Sequence, residues 1–342
     1  MTENKSGRSN DLAKSGCPSA RGRDNSGAAL EDKLVKVSRT ATTMVQTAKR
    51  KQAKQLFLAG LAALMLSGSW RTLPAQAADP FRTGGAARPI GPALQGAFED
   101  FFKRGDYQNA AQKLELAQRQ NPDEPLVFTL QAALAYQNGQ VDRLLTLAKK
   151  TRDVAQAMAS KDPSRSHLYT GLAQGLEASS YYLKDGFIAL PKMLTFVPSM
   201  FLEFKAARET APDDPEINLF VGYIDTLLTK HDEAIREFRK AAPNYLSMRG
   251  QALAFRDKKL YDDALGMVDQ ALAAAPSNPD LYYLKGQILA LKGRAAEAVD
   301  QFDRALAAGD QLPEGTRKQI ERERGVQAEQ AAATLPTVTV TP

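Results

Sequence analysis

Two consecutive stretches of this sequence resemble each other at an offset of 34 residues, and that repetition limits the architectures open to the chain. "YLSMRGQALAFRDKKLYDDALGMVDQALAAAPSN" begins at Tyr245 and "PDLYYLKGQILALKGRAAEAVDQFDRALAAGDQL" at Pro279. Ala252 aligns with Gly286, Phe255 with Leu289, Ala264 with Ala298 and Ala271 with Ala305. The same spacing relates Gly105 to Gly139, Phe204 to Phe238 and Ala207 to Ala241. A short repeated unit cannot bury its apolar face alone, so neighbours must stack. From about residue 91 the apolar positions recur three and four apart, which is the pattern of amphipathic helix. The one alternating stretch, "PTVTVTP", sits at the C-terminal end and is short.

These residues resemble the tetratricopeptide repeat, in which one helix carries W-x2-L-G-x2-Y, the next carries A-x3-F, and a proline marks the exit. The last unit reads Tyr282, Lys285-Gly286, Leu289, then Ala298 and Phe302. The unit before it reads Met248, Gln251-Ala252, Phe255, then Ala264, Val268, Ala271 and Pro276. An earlier one has Val221-Gly222, then Ala234, Phe238 and Ala241. The first has Phe101, Tyr107, Ala110, Leu114, Ala117 and Pro122. The residue types have physical reasons. Two helices that cross closely need a contact residue without bulk, such as Gly286 or Ala298, with large residues filling the grooves beside it. Pro122 and Pro276 stop the second helix, because proline lacks the N–H and clashes inside a helix.

The resemblance implies an all-α solenoid over residues 91–312. Six units are expected: 91–124, 125–162, 165–214, 215–244, 245–278 and 279–312. The third carries an insertion at 185–198, between expected helices at 166–184 and 199–211. The fourth is shortened at Pro243. Residues 78–90, punctuated by Gly and Pro, read as a flexible linker. Residues 313–334 form a mostly polar helix with Ile320 and Val326 on one side, suited to cap the last apolar face. Residues 335–342 are an expected frayed tail.

Ahead of the repeats stands an export signal. Lys49, Arg50, Lys51 and Lys54 form a cationic front, Leu56 to Met65 an uncharged apolar core, and Ala75-Gln76-Ala77 a small-residue cleavage site. That order specifies secretion with cleavage between Ala77 and Ala78. The apolar core is shorter than the ~20 residues of a spanning helix. Translation from Met44 makes residues 44–77 a signal peptide of ordinary design. Residues 1–43, rich in Ser, Gly, Lys and Arg, then read as a disordered extension.

The leader changes how the charge is read. Residues 1–77 hold 13 of the 45 Lys and Arg but only 5 of the 39 Asp and Glu, so the remainder carries 32 basic and 34 acidic residues. The net charge of +6 therefore belongs to the leader, and no nucleic-acid partner is expected of the mature chain. The single cysteine, Cys17, also precedes the cleavage site. The mature chain thus has no disulfide, no thiolate metal site and no lipid-bearing cysteine. No stable membrane insertion is expected once the leader is removed.

Signals for chemistry are weak, and no catalytic residue, metal site or cofactor is expected. The two histidines, His167 and His231, fall in different units, His231 at an expected solvated turn and His167 at a helix start. No H-E-x-x-H, G-x-S-x-G or phosphate-cradling glycine loop occurs. Asp213 and Asp214 follow Pro212 between units and are expected to cap the next helix, where the dipole favours negative charge.

Two places are candidates for binding a protein or peptide. The first is the concave face lined by the first helix of each unit, where Arg249, Arg256, Tyr223, Tyr283 and Gln287 combine guanidinium forks with aromatic area. A solvated face with ring packing is the plainer account of the same residues. The Lys and Asn set with which some tetratricopeptide domains clamp a C-terminal carboxylate does not occur here. The second is the insertion, where Phe187, Met193 and Phe196 lie in an apolar stretch that Pro191 and Pro198 keep from forming one helix. It is expected either to tuck in as extra core, or to form a flap over the groove or a docking patch.

The wider chain looks like a cyanobacterial family of exported tetratricopeptide proteins, which implies a periplasmic location, or a thylakoid lumen in such a host, and brings no reaction. The expected function is a non-catalytic scaffold. An enzyme with a site under the insertion and a membrane-surface protein stay open as alternatives.

Overall fold

The computed structural model describes residues 79–333. The expectations for residues 1–43, for the signal segment with Ala77 and Ala78, and for the tail 335–342 lie outside the described residues. Within them the fold is all-α and built from six helix pairs. They are α1 (Pro92–Phe98, continued by a π-helical turn Glu99–Arg104) with α2 (Tyr107–Gln120), and α3 (Pro125–Gln137) with α4 (Val141–Ala157). Then come α5 (Pro163–Asp185) with α7 (Val197–Thr210), α8 (Pro215–Leu227) with α9 (His231–Lys240), and α10 (Asn244–Asp257) with α11 (Tyr261–Ala274). The last pair is α12 (Pro279–Leu291) with α13 (Ala295–Leu306), followed by a closing helix α14 (Glu314–Ala333). Between α5 and α7 lie a 3-10 turn, Gly186–Ala189, and a short α6, Leu190–Leu194.

The sequence sets the helix starts by one device. Glu124, Asp162, Asp214 and Asn278 each stand before a proline, and each side chain accepts a backbone N–H of the helix it opens. A short polar side chain at the N-cap satisfies an orphan donor, and proline at the first position loses no bond the helix needs. The turns inside the pairs share a second device. Gly105, Gly139, Thr229, Lys259 and Gly293 all take the left-handed conformation, with φ of 65°, 65°, 58°, 62° and 79°. Glycine does so without strain; Thr229 and Lys259 do not.

The pairs close over bare helix surface. Phe204 of α7 meets Gly171 of α5, and Phe302 of α13 meets Gly286 of α12. Phe238 of α9 is shared by Gly222 of α8 and Gly250 of α10. Ala110, Ala117, Ala234, Ala264, Ala271, Ala298 and Ala305 are fully buried on the partner helices. Together they form one continuous core that runs from Phe81 to Ile320.

Several boundaries differ from the sequence reading. The helix α5 starts at Pro163 rather than 166, because Asp162 caps it, and α7 starts at Val197. In α14, Ile320 is fully buried but Val326 is exposed, so only the first half of that helix covers the apolar end.

The larger correction concerns residues 78–90. The described part of this segment is not a free linker but an arm docked on the helices, with Asp79 and Phe81 buried. Its aromatic side chain explains the docking, since a phenyl ring left in water forgoes about 1.5–3 kcal/mol of burial. Phe81 stands edge-on to Phe98 of α1 at 5.2 Å and 6.4 Å from Phe220 of α8. The row of rings continues from Tyr169 through Phe220, Phe81, Phe98, Phe102 and Phe101 to Tyr107. The first helix pair thereby also reaches the last. The Tyr107 hydroxyl donates to Asp280, and Asn278 Nδ2 donates to the Phe102 carbonyl at 2.7 Å.

Candidate functional site

The first helices of the pairs (α3, α5, α8, α10, α12) present the face on which binding is expected. Their two ends have different chemistry. At the N-terminal ends the capping carboxylates of α3, α5 and α8 gather with Glu216, the second residue of α8. Arg165 of α5 is the cation the helices themselves bring to this group. It bonds Glu216 at 2.9 Å and 3.0 Å and Glu124 at 3.1 Å and 2.6 Å. The arm supplies two more. Arg82 Nε bonds Asp214 at 3.1 Å and its Nη2 bonds Glu216 at 3.0 Å, while Arg88 pairs with Asp162 at 2.9 Å and Glu216 at 3.2 Å. Asp79 holds the arm's own turn, accepting from Phe81 N, Arg88 N and the Arg82 guanidinium.

Glu216 is fully buried. Burial alone would raise its carboxyl, but Arg165 and Arg82 outweigh that and hold it at about 2. Tyr169, which donates to Glu216, is pushed up by burial and by that carboxylate. Asp214 keeps its expected duty as the cap of α8, accepting Glu216 N at 3.0 Å and Ile217 N at 3.1 Å.

Further along, Arg249 of α10 is not a free recognition fork. Its Nη1 donates to the Tyr223 hydroxyl at 3.0 Å, and the bonded pair of Tyr107 and Asp280 lies within its electrostatic reach. Burial raises the Asp280 carboxyl against the pull of Arg249. This group closes the first helix pair onto α12, a structural duty the repeat period alone does not disclose.

The C-terminal ends of α8 and α10 are open. A cleft of ≈ 710 Å³ is lined by Tyr223, Thr226, Leu227, Thr229, His231, Leu253, Arg256 and Asp257. Leu227 is 78% exposed. Arg256 bonds Asp257 at 2.8 Å and Gln287 at 3.3 Å. Gln287 and Tyr283 both donate to Glu323 of α14, Tyr283 at 2.7 Å. The expected site residues thus divide. Arg256, Gln287 and Tyr283 form a polar rail that runs from α10 across α12 to Glu323 of α14, while Arg249 is half-buried and bonded to the cleft's Tyr223.

Two features of the cleft were not legible beforehand. His231 opens α9 half-buried, and its Nδ1 is buried without a hydrogen-bond partner among the described residues, where a solvated turn residue was expected. Thr229, which lines the cleft, is β-branched yet left-handed in φ. Such strain collects where surrounding structure over-determines a backbone, as at binding sites. His167, by contrast, pairs through Nδ1 with Glu203 of α7 at 2.7 Å, bridging its own helix pair.

The tip of the insertion is not packed away as extra core. Phe187 and Ile188 are 77% and 87% exposed, and Leu190 and Leu194 are exposed beside them. Met193 and Phe196 are half-buried, with Phe196 5.9 Å from Tyr181 and Lys192 over that same ring at 3.6 Å. Proline at 191 and 198 breaks the stretch into short turns, which leaves too little helix to fold back onto the core. No single helix among the described residues is long and apolar enough to cross a membrane. The bent pair 163–194 and 197–210 has the composition, but it buries Tyr169, Ala173, Phe204 and Ala207 in the repeat core. Among the described residues no group of three metal-ligating side chains is placed to hold an ion.

Stacked two-helix units with a closing helix define a helical-repeat protein. Residues 249–313 match the model of the tetratricopeptide repeat family, and the fold of the described residues is of the tetratricopeptide type. Similar solved structures include a tetratricopeptide protein of Thermus thermophilus, 18% identical, covering 58% of this chain and 97% of that one with a TM-score of 0.40. A tetratricopeptide protein of Parabacteroides merdae is 15% identical, over 72% and 95% of the two chains, with a TM-score of 0.36. The TPR2AB domain of yeast Sti1, solved in complex with pHSP90, is 15% identical over 69% and 97%, with a TM-score of 0.32. No curated protein matches the sequence.

Proposed function

We propose that this chain is an exported, non-catalytic scaffold that holds an extended segment of a partner protein in the cleft between α8 and α10. The observation that carries this reading is the cleft itself. It offers apolar surface from exposed Leu227 and half-buried Leu253, a guanidinium at Arg256 and a carboxylate at Asp257. An apolar floor with a few convergent polar groups is what fixes a ligand's place and orientation. The partner segment would bury an apolar side chain on Leu227 and offer hydrogen-bond partners to Arg256 and Asp257 at the cleft's edge. The rail of Arg256, Gln287 and Glu323 would extend its contact toward α14.

Export is part of the same proposal and rests on the leader. The described body reaches back to Asp79, so cleavage between Ala77 and Ala78 would leave it whole, and the proposed export places it in the periplasm. N-terminal sequencing of the protein from the envelope fraction tests this. A start at Ala78 supports it, and an intact leader overturns it.

The binding test is a capture from envelope extract with the chain that begins at Ala78. Leu227→Asp and Arg256→Ala serve as controls. A defined protein retained by the wild type and lost from Leu227→Asp supports the cleft. Equal retention by all three would remove it.

A second reading rests on the exposed tip at Phe187, Ile188, Leu190 and Leu194, flanked by Lys184 and Lys192. Apolar residues beside lysines suit the surface of an anionic bilayer. Sedimentation with anionic vesicles would carry the wild type down and leave a Phe187→Asp/Ile188→Asp variant in solution. No sedimentation of the wild type would dismiss this reading.

A further inference from the structure

We infer that the N-terminal ends of α3, α5 and α8 form a second peptide site, specific for an aromatic residue followed by arginine, and that residues 79–90 are its occupant in cis. This goes beyond the cleft reading and shares no residue with it.

The site belongs to the helices and the arm is its ligand. Glu124, Asp162 and Asp214 each cap their helix whether or not the arm is seated, since each accepts a backbone N–H of that helix at 3.0–3.1 Å. With Glu216 they make four carboxylates against one helix-borne cation, Arg165. Such a group disfavours its own charge in a low-dielectric setting and draws a cation in. The arm answers with Arg82, whose guanidinium takes Asp214 and Glu216 together, and with Arg88, which takes Asp162 and Glu216. A planar fork with several fixed donors meets paired carboxylates in a way a lysine cannot.

The second, independent observation is the ring beside that charge. Phe81 is 5% exposed and sits between Phe98 and Phe220. Charge and ring together read a dipeptide, Phe81-Arg82, as a groove reads a short linear motif. The segment behind it has slack. Thr83 to Ala86 are exposed, Gly84 is left-handed, and a Cβ on Gly84 or Gly85 would meet nothing within 4 Å. A tethered ligand held by side-chain forks and one ring, and followed by a single exposed 3-10 turn at Gly84–Ala86, is exchangeable in a way that a core helix is not. The tether gives the cis arm a high effective concentration, so a partner segment of the same chemistry binds only when the arm lets go.

The test uses the chain from Ala78, which contains the whole described body, and a labelled peptide of residues 79–90. The wild type should bind the peptide at least tenfold more weakly than an Arg82→Ala/Arg88→Ala variant. A control peptide with alanine at the Phe81 and Arg82 positions should bind neither. Failure of the folded variant to bind, with its helical circular dichroism intact, would overturn the inference and make the arm structural only. If the variant does not fold, hydrogen exchange on the wild type decides. Exchange at 81–90 well ahead of α12 and α13 supports an exchangeable arm, and exchange in step with those helices sinks it. Leu227→Asp should leave peptide binding unchanged, which separates this site from the cleft.

Discussion

A Cβ placed on Gly250 of α10 would lie 2.3 Å from Cε1 of Phe238 on α9. The neighbouring pair therefore packs its phenyl ring onto bare backbone, and the same ring also faces Gly222 of α8. This one ring joins the fourth and fifth pairs. Gly250→Ala has no room to relax without moving the ring, and overpacking of this kind costs about 1–3 kcal/mol. Phe238→Ala removes the ring and leaves a cavity, for about 3–5 kcal/mol. Urea unfolding at neutral pH should show both losses, with the alanine at 238 the larger. A neutral Gly250→Ala would mean that the two pairs do not meet as closely as the structure places them.

Arg82→Ala should destabilise the whole body, though it lies outside the repeats. It leaves Asp214 short of its fork and Glu216 with Arg165 and Arg88 as its remaining cations, and breaking a buried pair on one side costs about 3–5 kcal/mol. The remaining partners should keep the loss near the lower figure. Thermal unfolding would show it as a lower midpoint. An unchanged midpoint would put the arm in solution.

The same cluster sets the acid limit. Glu216 is held at about 2 in the folded protein, below its ordinary 4.5. A depressed carboxyl contributes stability that is fully present above the ordinary value and is lost as pH falls toward the folded one. Asp162 shifts in the same direction: burial opposes, and its bonds to Ser164 and Arg165 N outweigh it. Unfolding free energy should therefore decline between about pH 4.5 and 2, by on the order of 3 kcal/mol from Glu216. Arg82→Ala removes one of the groups that depress Glu216, so its decline should be shallower and the gap to the wild type should narrow in acid. Parallel curves would contradict the assignment.

Much of this was visible in the residues, and the limit is physical. The 34-residue period and the small residues at 222 and 286 placed the helix pairs, because each of those features acts within one unit or across one interface. The carboxylate at 214 was readable as a cap for the same local reason. The bond of Arg249 to Tyr223, and the Tyr107–Asp280 pair beside it, were not legible because these residues come from different units, and a repeat period says nothing of which side chains meet between units. The arm looked like a linker since Gly84, Gly85 and Pro89 dominate it. Two signals were there: a phenylalanine and an arginine side by side at 81 and 82, and an acid before proline at 124, 162 and 214.

The two non-glycine turns offer a final contrast between stability and function. Thr229 holds φ at 58° in the position that Gly105, Gly139 and Gly293 fill in other pairs. A left-handed backbone costs an ordinary L-residue roughly 1–2 kcal/mol, and a β-branched one lies further from its preferred range. Thr229→Gly should therefore gain about 1 kcal/mol once the added freedom of the unfolded glycine is offset. Lys259→Gly should gain less, because lysine is unbranched at Cβ. Paired urea titrations would rank them. If the strain at 229 serves the cleft, Thr229→Gly should raise the midpoint and weaken capture of the partner segment, while Lys259→Gly, whose residue lies outside the cleft lining, should raise it and leave capture intact. Equal capture by both would leave the threonine's strain without a binding role.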